Sequence, residues 1–242
     1  MLILDAHVHV YPFYDEAALL RGAVDRLSAM AASGDTIGIV LVEREGVDVF
    51  GKWASGKVPD GWTVSQLDDR TIRLNGERGE RLHVFAGRQI ACAERLEILG
   101  IGCRTPVKDG VSCDEAIAAI EKDGGLPVLA WGVGKWMLGR ARKVRKILRD
   151  HGPDTLALCD TSLRPVFWPM PAAMRDGIRP VLCGSDPLPK QGEEAQAGRY
   201  ACEVSLELPA AEPAQRLIAR IRVGGLRPRG RRSSALEFLK RH

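Results

Sequence analysis

The stretch Leu2-Ile3-Leu4-Asp5-Ala6-His7-Val8-His9-Val10 decides how the rest of the chain is read. A short apolar run ends in His-x-His, and Pro12 stops it soon after. Side chains in a strand alternate faces, so His7 and His9 aim their imidazoles into one space at the strand's carboxyl end. Two neutral imidazoles held this way suit borderline divalent ions such as Zn, Fe, Mn or Ni. The bland alternative, two histidines closing a strand near the surface, stays open at this point.

Outward from this strand, residues 15–32 carry Leu19, Leu20, Ala23, Val24, Leu27 and Met30 at helical spacing, and Ser33-Gly34-Asp35 stops that helix. The run from Thr36 through Val42 is almost continuously apolar, as in a strand buried on both faces, and it ends at Glu43-Arg44-Glu45. From 46 to 80 the pattern changes: Asp68-Asp69 and Asn75-Gly76 separate short strand-like runs, with Trp53 and Trp62 among them. This predicts a small antiparallel insert rather than another helix. Short β segments follow at 82–86, 88–92 and 96–101. Ser112 and Glu115 then stand at capping-box spacing before a helix reaching 122. Strands are expected at 126–131, 155–159 and 178–183, a basic helix up to Asp150, a late strand within 202–208 and a helix over 213–222. Such alternation predicts an α/β fold, a distorted (β/α) barrel whose parallel sheet is closed or nearly so. The barrel is expected to occupy 1–224, with 225–242 as a basic C-terminal tail.

Composition sets bounds. The 242 residues, 45% hydrophobic and 27% charged, are those of a soluble globular chain with a substantial core. No apolar stretch approaches a membrane span, and Asp5 with the two histidines argues against a signal peptide. The six cysteines show no C-x-x-C spacing, which predicts a reduced, cytoplasmic protein without disulfides. A net charge of +4 is too small to argue for nucleic acid, and Arg227, Arg229, Arg231 and Arg232 read as a solvated tail. The partner expected is a small anionic substrate or ligand, neither membrane nor nucleic acid.

In β/α barrels the working residues sit where strands end. Those ends collect His7, His9, Glu43, Gln89, Glu97, Trp131, Lys135, Asp160 and Asp186. Asp186, in a Gly-Ser-Asp turn, is placed for a metal ligand or a general base, or to cap the next segment. Asp160 reads equally as a helix cap. Gly132-Val133-Gly134-Lys135 lies between a strand and a helix, where backbone N–H groups can hold a phosphate and Lys135 adds charge. Arg140 and Arg164 could assist, and a plain tight turn is the alternative. It is not a P-loop, because Trp136 stands where Ser or Thr must hold magnesium.

Taken together, His-x-His on the first strand, the apolar-Gly-x-Gln of Gly87 to Gln89, Leu96-Glu97-Ile98-Leu99-Gly100 and the late Gly-Ser-Asp resemble the PHP (polymerase and histidinol phosphatase) family. The wider amidohydrolase group shares the first and last of these features. The PHP resemblance implies a distorted β/α barrel with two or three metals, hydrolysing phosphoesters. The departures are Gln89 at an acidic ligand position, Glu97 and Trp131 where histidines are expected, and Asp186-Pro187-Leu188 in place of Asp-x-His. The remaining histidines, His83, His151 and His242, read as a strand residue, a helix end and a tail residue. A mononuclear site is what remains: His7, His9 and Asp186, with Glu43 or Glu97, holding one divalent ion (Zn, Mn or Fe) or none. The expected function is a metal-dependent, phosphoesterase-like hydrolase acting on a small anion with metal-activated water. Asp186, Lys135 and Arg164 would be catalytic, and Gly132, Gly134 and Lys135 would hold the anion. The alternative is an inactive barrel of the same type that binds a ligand or partner.

Overall fold

The first strand, β1 (Leu2–Val8), is buried along its whole length because it lies inside a sheet with neighbours on both sides. The computed structural model describes residues 1–137, 139–209 and 211–241, and His242 lies outside the described residues. After β1 come α1 (Glu16–Ser28), β2 (Thr36–Glu43), α2 (Val49–Ala54), β3 (Trp62–Gln66), β4 (Thr71–Gly76), β5 (Arg81–Ala91) and β6 (Glu97–Ile101). The second half runs α3 (Cys113–Lys122), β7 (Leu126–Ala130), α4 (Gly139–Asp150), β8 (Ala157–Thr161), α5 (Ala172–Arg175) and β9 (Val181–Gly184). It closes with β10 (Tyr200–Val204), α6 (Pro213–Arg222), β11 (Arg227–Gly230) and α7 (Ala235–Arg241).

The main path of the sheet is β11-β10-β1-β2-β5-β6-β7-β8-β9. It curls until β9 meets β1, giving a barrel-like sheet of nine strands that is nearly closed. At the seam the Asp186 N–H donates to the His7 carbonyl at 2.8 Å and the Ser185 N–H to Asp5 Oδ1 at 2.9 Å. A Cβ at Gly184 would lie 2.3 Å from that of His7, so the approach needs glycine. Asp5 also accepts from the Gly198 N–H at 2.8 Å, and burial pushes its carboxyl up to about 7 despite these donors.

Three apolar clusters build the core. Leu2, Leu4, Ala6, Val40, Val42, Phe85, Leu99, Val128 and Cys159 fill the barrel. Leu217, Ile218 and Ile221 of α6 join them and stop the end away from His7. Ile3, Val8 and Val10 pack outward against Leu19, Leu20, Val24 and Leu27 of α1. The third cluster lies beneath α3, α4 and α5.

β1 does not keep one alternation throughout. Its register on β2 advances from Asp5↔Ile39 to Val8↔Leu41, so three steps on β1 match two on β2. This bulge swaps faces: Leu2, Leu4 and Ala6 point inward before it, Val8 and Val10 outward after it. His7 and His9, which an unbroken alternation would turn the same way as Ile3, are thereby re-aimed into the barrel.

Several expectations are corrected. The sheet is mixed: β6 pairs antiparallel with both β5 and β7, because the short Cys92–Leu96 turn leaves no room for a crossover helix. The 46–80 segment holds the antiparallel hairpin β3–β4, which extends β5, but also the helix α2, started by Asp48 accepting from the Gly51 N–H. The basic helix α4 begins at Gly139, beyond the Gly132 turn. Residues 225–241 of the expected basic tail are tied down, since β11 pairs with β10 and Arg241 is buried against Glu193 at 2.7 Å and Ser162 at 2.9 Å. Trp131, where the resemblance expects a histidine, packs outward in the third cluster. Among the described residues no helix is long and apolar enough to cross a membrane.

Candidate metal centre

The open end of the barrel gathers His7 and His9 beyond the bulge, Gln89 from β5, Glu97 from the start of β6, and Asp186 just past β9. His7 and His9 are 0% and 5% exposed, and their Nε2 atoms lie 3.1 Å apart. His7 Nε2 is 3.1 Å from Gln89 Oε1 and 3.4 Å from Asp186 Oδ1, while His9 Nε2 is 3.8 Å from that same oxygen. Asp186 is held in the left-handed region, φ 49°, by the hydrogen bond its backbone N–H donates to the His7 carbonyl. A non-glycine residue there is strained, and such strain concentrates where side chains must be aimed.

These separations fit a metal ion. Bonds of about 2.1 Å in a tetrahedral site put ligand atoms about 3.4 Å apart. His7, His9 and Asp186 thus offer three converging donors, with the Gln89 amide oxygen beside them. The protonation states agree. Burial pushes His7 and His9 down to about 4, so both imidazoles are neutral near pH 7 and have lone pairs to offer. Burial pushes Asp186 up to about 6, with the Glu97 charge adding to the rise. His7 Nδ1 is buried with no partner, so the polar contacts of that ring are all made at Nε2, with Gln89 and His9.

Glu97 carries the next layer of charge. Burial raises its carboxyl, but the Lys135 ammonium bonded to it outweighs burial and holds it below the usual range. Lys135 reaches it by lying flat across Gly132, where a Cβ would be 2.6 Å from Lys135 Cδ. Gly134 takes φ 69° in the same turn, and the Lys135 N–H donates to the Gly132 carbonyl at 2.9 Å.

Other expected residues stand elsewhere. Glu43 accepts from the Phe50 N–H at 2.7 Å and pairs with Arg88 at 3.3 Å, so it anchors α2 instead of joining the histidines. Arg164 grips Asp160 with two bonds of 2.7 and 2.6 Å, and Tyr200 donates to the same carboxylate at 3.1 Å. Its third donor goes to the Trp168 carbonyl at 2.7 Å, which leaves it committed to holding two loops.

Two aromatic residues escaped the sequence reading. Tyr11 lies 5.6 Å from the His9 ring, and Phe13, 53% exposed, stacks on Tyr11 at 5.8 Å and 9°. The signal was present as every second residue of His7-Val8-His9-Val10-Tyr11-Pro12-Phe13, although Pro12 breaks the strand before it can be extrapolated.

No protein-family model and no curated protein matches the chain. Among solved structures it is similar to PsfC from Pseudomonas syringae PB-5123, with a TM-score of 0.57 and 14% identity over 94% of this chain and 91% of that one. It is also similar to the lesion-specific endonuclease PfuEndoQ from Pyrococcus furiosus, TM-score 0.56 and 14% identity, covering 93% of this chain and 57% of that one. Endonuclease Q in complex with a 27-mer duplex substrate carrying an abasic lesion at the active site gives TM-score 0.54, again 14% identical, over 95% and 59%. This chain therefore spans less than two thirds of the endonuclease chains. Likeness at such identity shows a shared fold, that of a mixed α/β barrel.

Proposed function

We propose that this chain is a metal-dependent hydrolase of the PHP kind, cleaving a phosphoester. The observation that carries this reading is the convergence of His7, His9 and Asp186 at metal-ligand spacing at the open end of the barrel. These three residues would hold one divalent cation, Zn, Mn or Fe, and such an ion supplies Lewis acidity and lowers the pKa of water. The protein's own groups would do the rest. His7 and His9 stay unprotonated, and Asp5 and Gly184 fix the backbone that aims them. Lys135, braced by Glu97, offers its remaining N–H donors to a phosphoryl oxygen, with the Gly132–Lys135 turn beside it. Phe13 presents a flat apolar face outside the metal site, suited to a substrate bearing a ring. The expectation against nucleic acid gains no support, because one similar solved structure holds a 27-mer duplex substrate with an abasic lesion. The substrate class is therefore phosphoesters, from small anions to nucleic acid. The six free thiols suit the reducing cytoplasm.

One observation favours a second reading, a barrel that binds without hydrolysing: Lys135 neutralises Glu97, the remaining acidic group facing the histidines. The experiment that separates them is elemental analysis of protein purified without chelator, beside His7→Ala/His9→Ala, followed by phosphomonoester, phosphodiester and abasic-duplex assays. Near one equivalent of transition metal, lost in the variant together with hydrolysis, is expected. Wild-type protein that stays metal-free after incubation with Zn, Mn and Fe overturns the hydrolase.

A further inference from the structure

A second group of potential ligands lies on the outer side of the barrel. Gln89 faces the histidines from β5, but Cys92, three residues on, belongs to the outer cluster beneath α3. There it meets Cys113, the first residue of α3, and Glu94 from the turn between β5 and β6. The two sulfurs and a Glu94 carboxylate oxygen all lie within 4.8 Å of one another. Cys92 is 5% and Cys113 0% exposed, whereas Glu94 is half-buried and open on one side to solvent. The Cys92 thiol donates to the Ile90 carbonyl at 3.7 Å.

The backbone holds the three residues in place. The Cys92 N–H donates to Leu96 at 2.9 Å, and the Arg95 N–H to Cys92 at 2.8 Å, closing the turn. The Ala93 N–H bonds the Val111 carbonyl at 2.9 Å, and the Cys113 N–H bonds Glu94 Oε2 at 3.0 Å, which ties the turn to the helix start. Neither thiol forms a disulfide. We propose that Cys92, Glu94 and Cys113 form a second metal site, for a thiophilic divalent cation of the Zn2+ or Cd2+ class, separate from the histidine centre.

The chemistry fits. Metal–sulfur bonds of about 2.3 Å set ligands about 3.8 Å apart in a tetrahedron, within the span observed. The neighbouring Cys92, burial and the Glu94 carboxylate push the Cys113 thiol up, so binding must displace two thiol protons, and the metal together with the amino end of the ten-residue α3 stabilises the resulting thiolates. Two thiolates select such ions over Mg2+ or Ca2+. The fourth position falls to solvent on the Glu94 side. A bound ion would pin the turn whose two strands carry Gln89 and Glu97 into the barrel.

The test uses the full chain with His7→Ala/His9→Ala, so that the first centre cannot contribute. The protein is reduced, freed of reductant without air and titrated with Cd2+. Expected are a near-ultraviolet sulfur-to-metal absorption band saturating at one equivalent and the release of two protons in weak buffer. In the same background Cys92→Ser and Cys113→Ser abolish the band. Glu94→Gln, which keeps an amide oxygen for the Cys113 N–H, weakens the binding, and Cys103→Ser leaves it intact. A reduced, folded protein with no band, or a band that survives both cysteine variants, overturns the proposal. So does a chain that passes to a Cys92–Cys113 disulfide and takes up no Cd2+ after re-reduction.

Discussion

Arg164→Met separates two roles for an arginine that the sequence places among the catalytic groups. Its guanidinium is 1% exposed and Asp160 0% exposed. It makes bonds of 2.7 and 2.6 Å to that carboxylate and of 2.7 Å to the Trp168 carbonyl. Removing it leaves Asp160 in the core with only the Tyr200 hydroxyl, at 3.1 Å. Breaking one side of a buried pair costs about 3–5 kcal/mol. At about 2–4 °C per kcal/mol for a chain of this size, the apparent Tm should fall by about 6–20 °C. Hydrolysis per folded molecule and metal content should stay near wild type. The double variant Asp160→Leu/Arg164→Met should recover most of the loss, because no buried charge is then left alone. The assay is thermal unfolding by circular dichroism at fixed scan rate, beside metal analysis at a temperature where all variants are folded. A single variant melting within about 2 °C of wild type, yet inactive, would show that the pair is dispensable to folding and that Arg164 acts in the site.

Metal affinity should depend on pH through Asp186. Its carboxyl sits at about 6, so below that an incoming ion must displace a proton and affinity should drop about tenfold per unit, flattening above pH 7. His7 and His9, at about 4, add nothing to the slope until pH approaches 4, and a slope still present above pH 7 in calorimetric titrations would contradict this assignment. Gly184→Ala puts a methyl 2.3 Å from the His7 Cβ and 2.6 Å from its amide nitrogen. The seam must open, at about 1–3 kcal/mol or more, with weaker metal binding, and unchanged melting and metal content would refute the described closure. Phe13→Ala, at a 53% exposed position, should leave stability within about 0.5 kcal/mol. It should raise KM about fivefold to a hundredfold for substrates bearing a base, with kcat little changed, since base stacking is worth about 1–3 kcal/mol. An equal KM for base-bearing and simple phosphoesters in both proteins would remove Phe13 from recognition.

Local periodicity determined much of this protein. Short, nearly continuous apolar runs gave β1 and β2, the 3.6 spacing of Leu19 to Leu27 gave α1, and Ser112 with Glu115 gave the capping box of α3. Each of these signals is carried by residues a few positions apart, so the sequence alone holds it. The His-x-His pair was legible in the same way, because residues two apart in a strand share a face whatever surrounds them.

Which face they share was not legible. One extra residue in β1, set against β2, turns both histidines inward, and a bulge is a property of two paired strands rather than of one. Distance along the chain hid the rest. Asp186 reaches His7 only because β9 closes onto β1, and Gln89 only because β5 lies beyond β2. Glu43 at a strand end and Arg164 in a loop looked like site residues, but tertiary packing gave them Arg88 and Asp160 as partners. Residues 225–242 read as solvated from their charge, yet β10 offered an open edge and Glu193 a buried carboxylate. The sequence determined which side chains could bind a metal, and the closing of the barrel decided which of them meet.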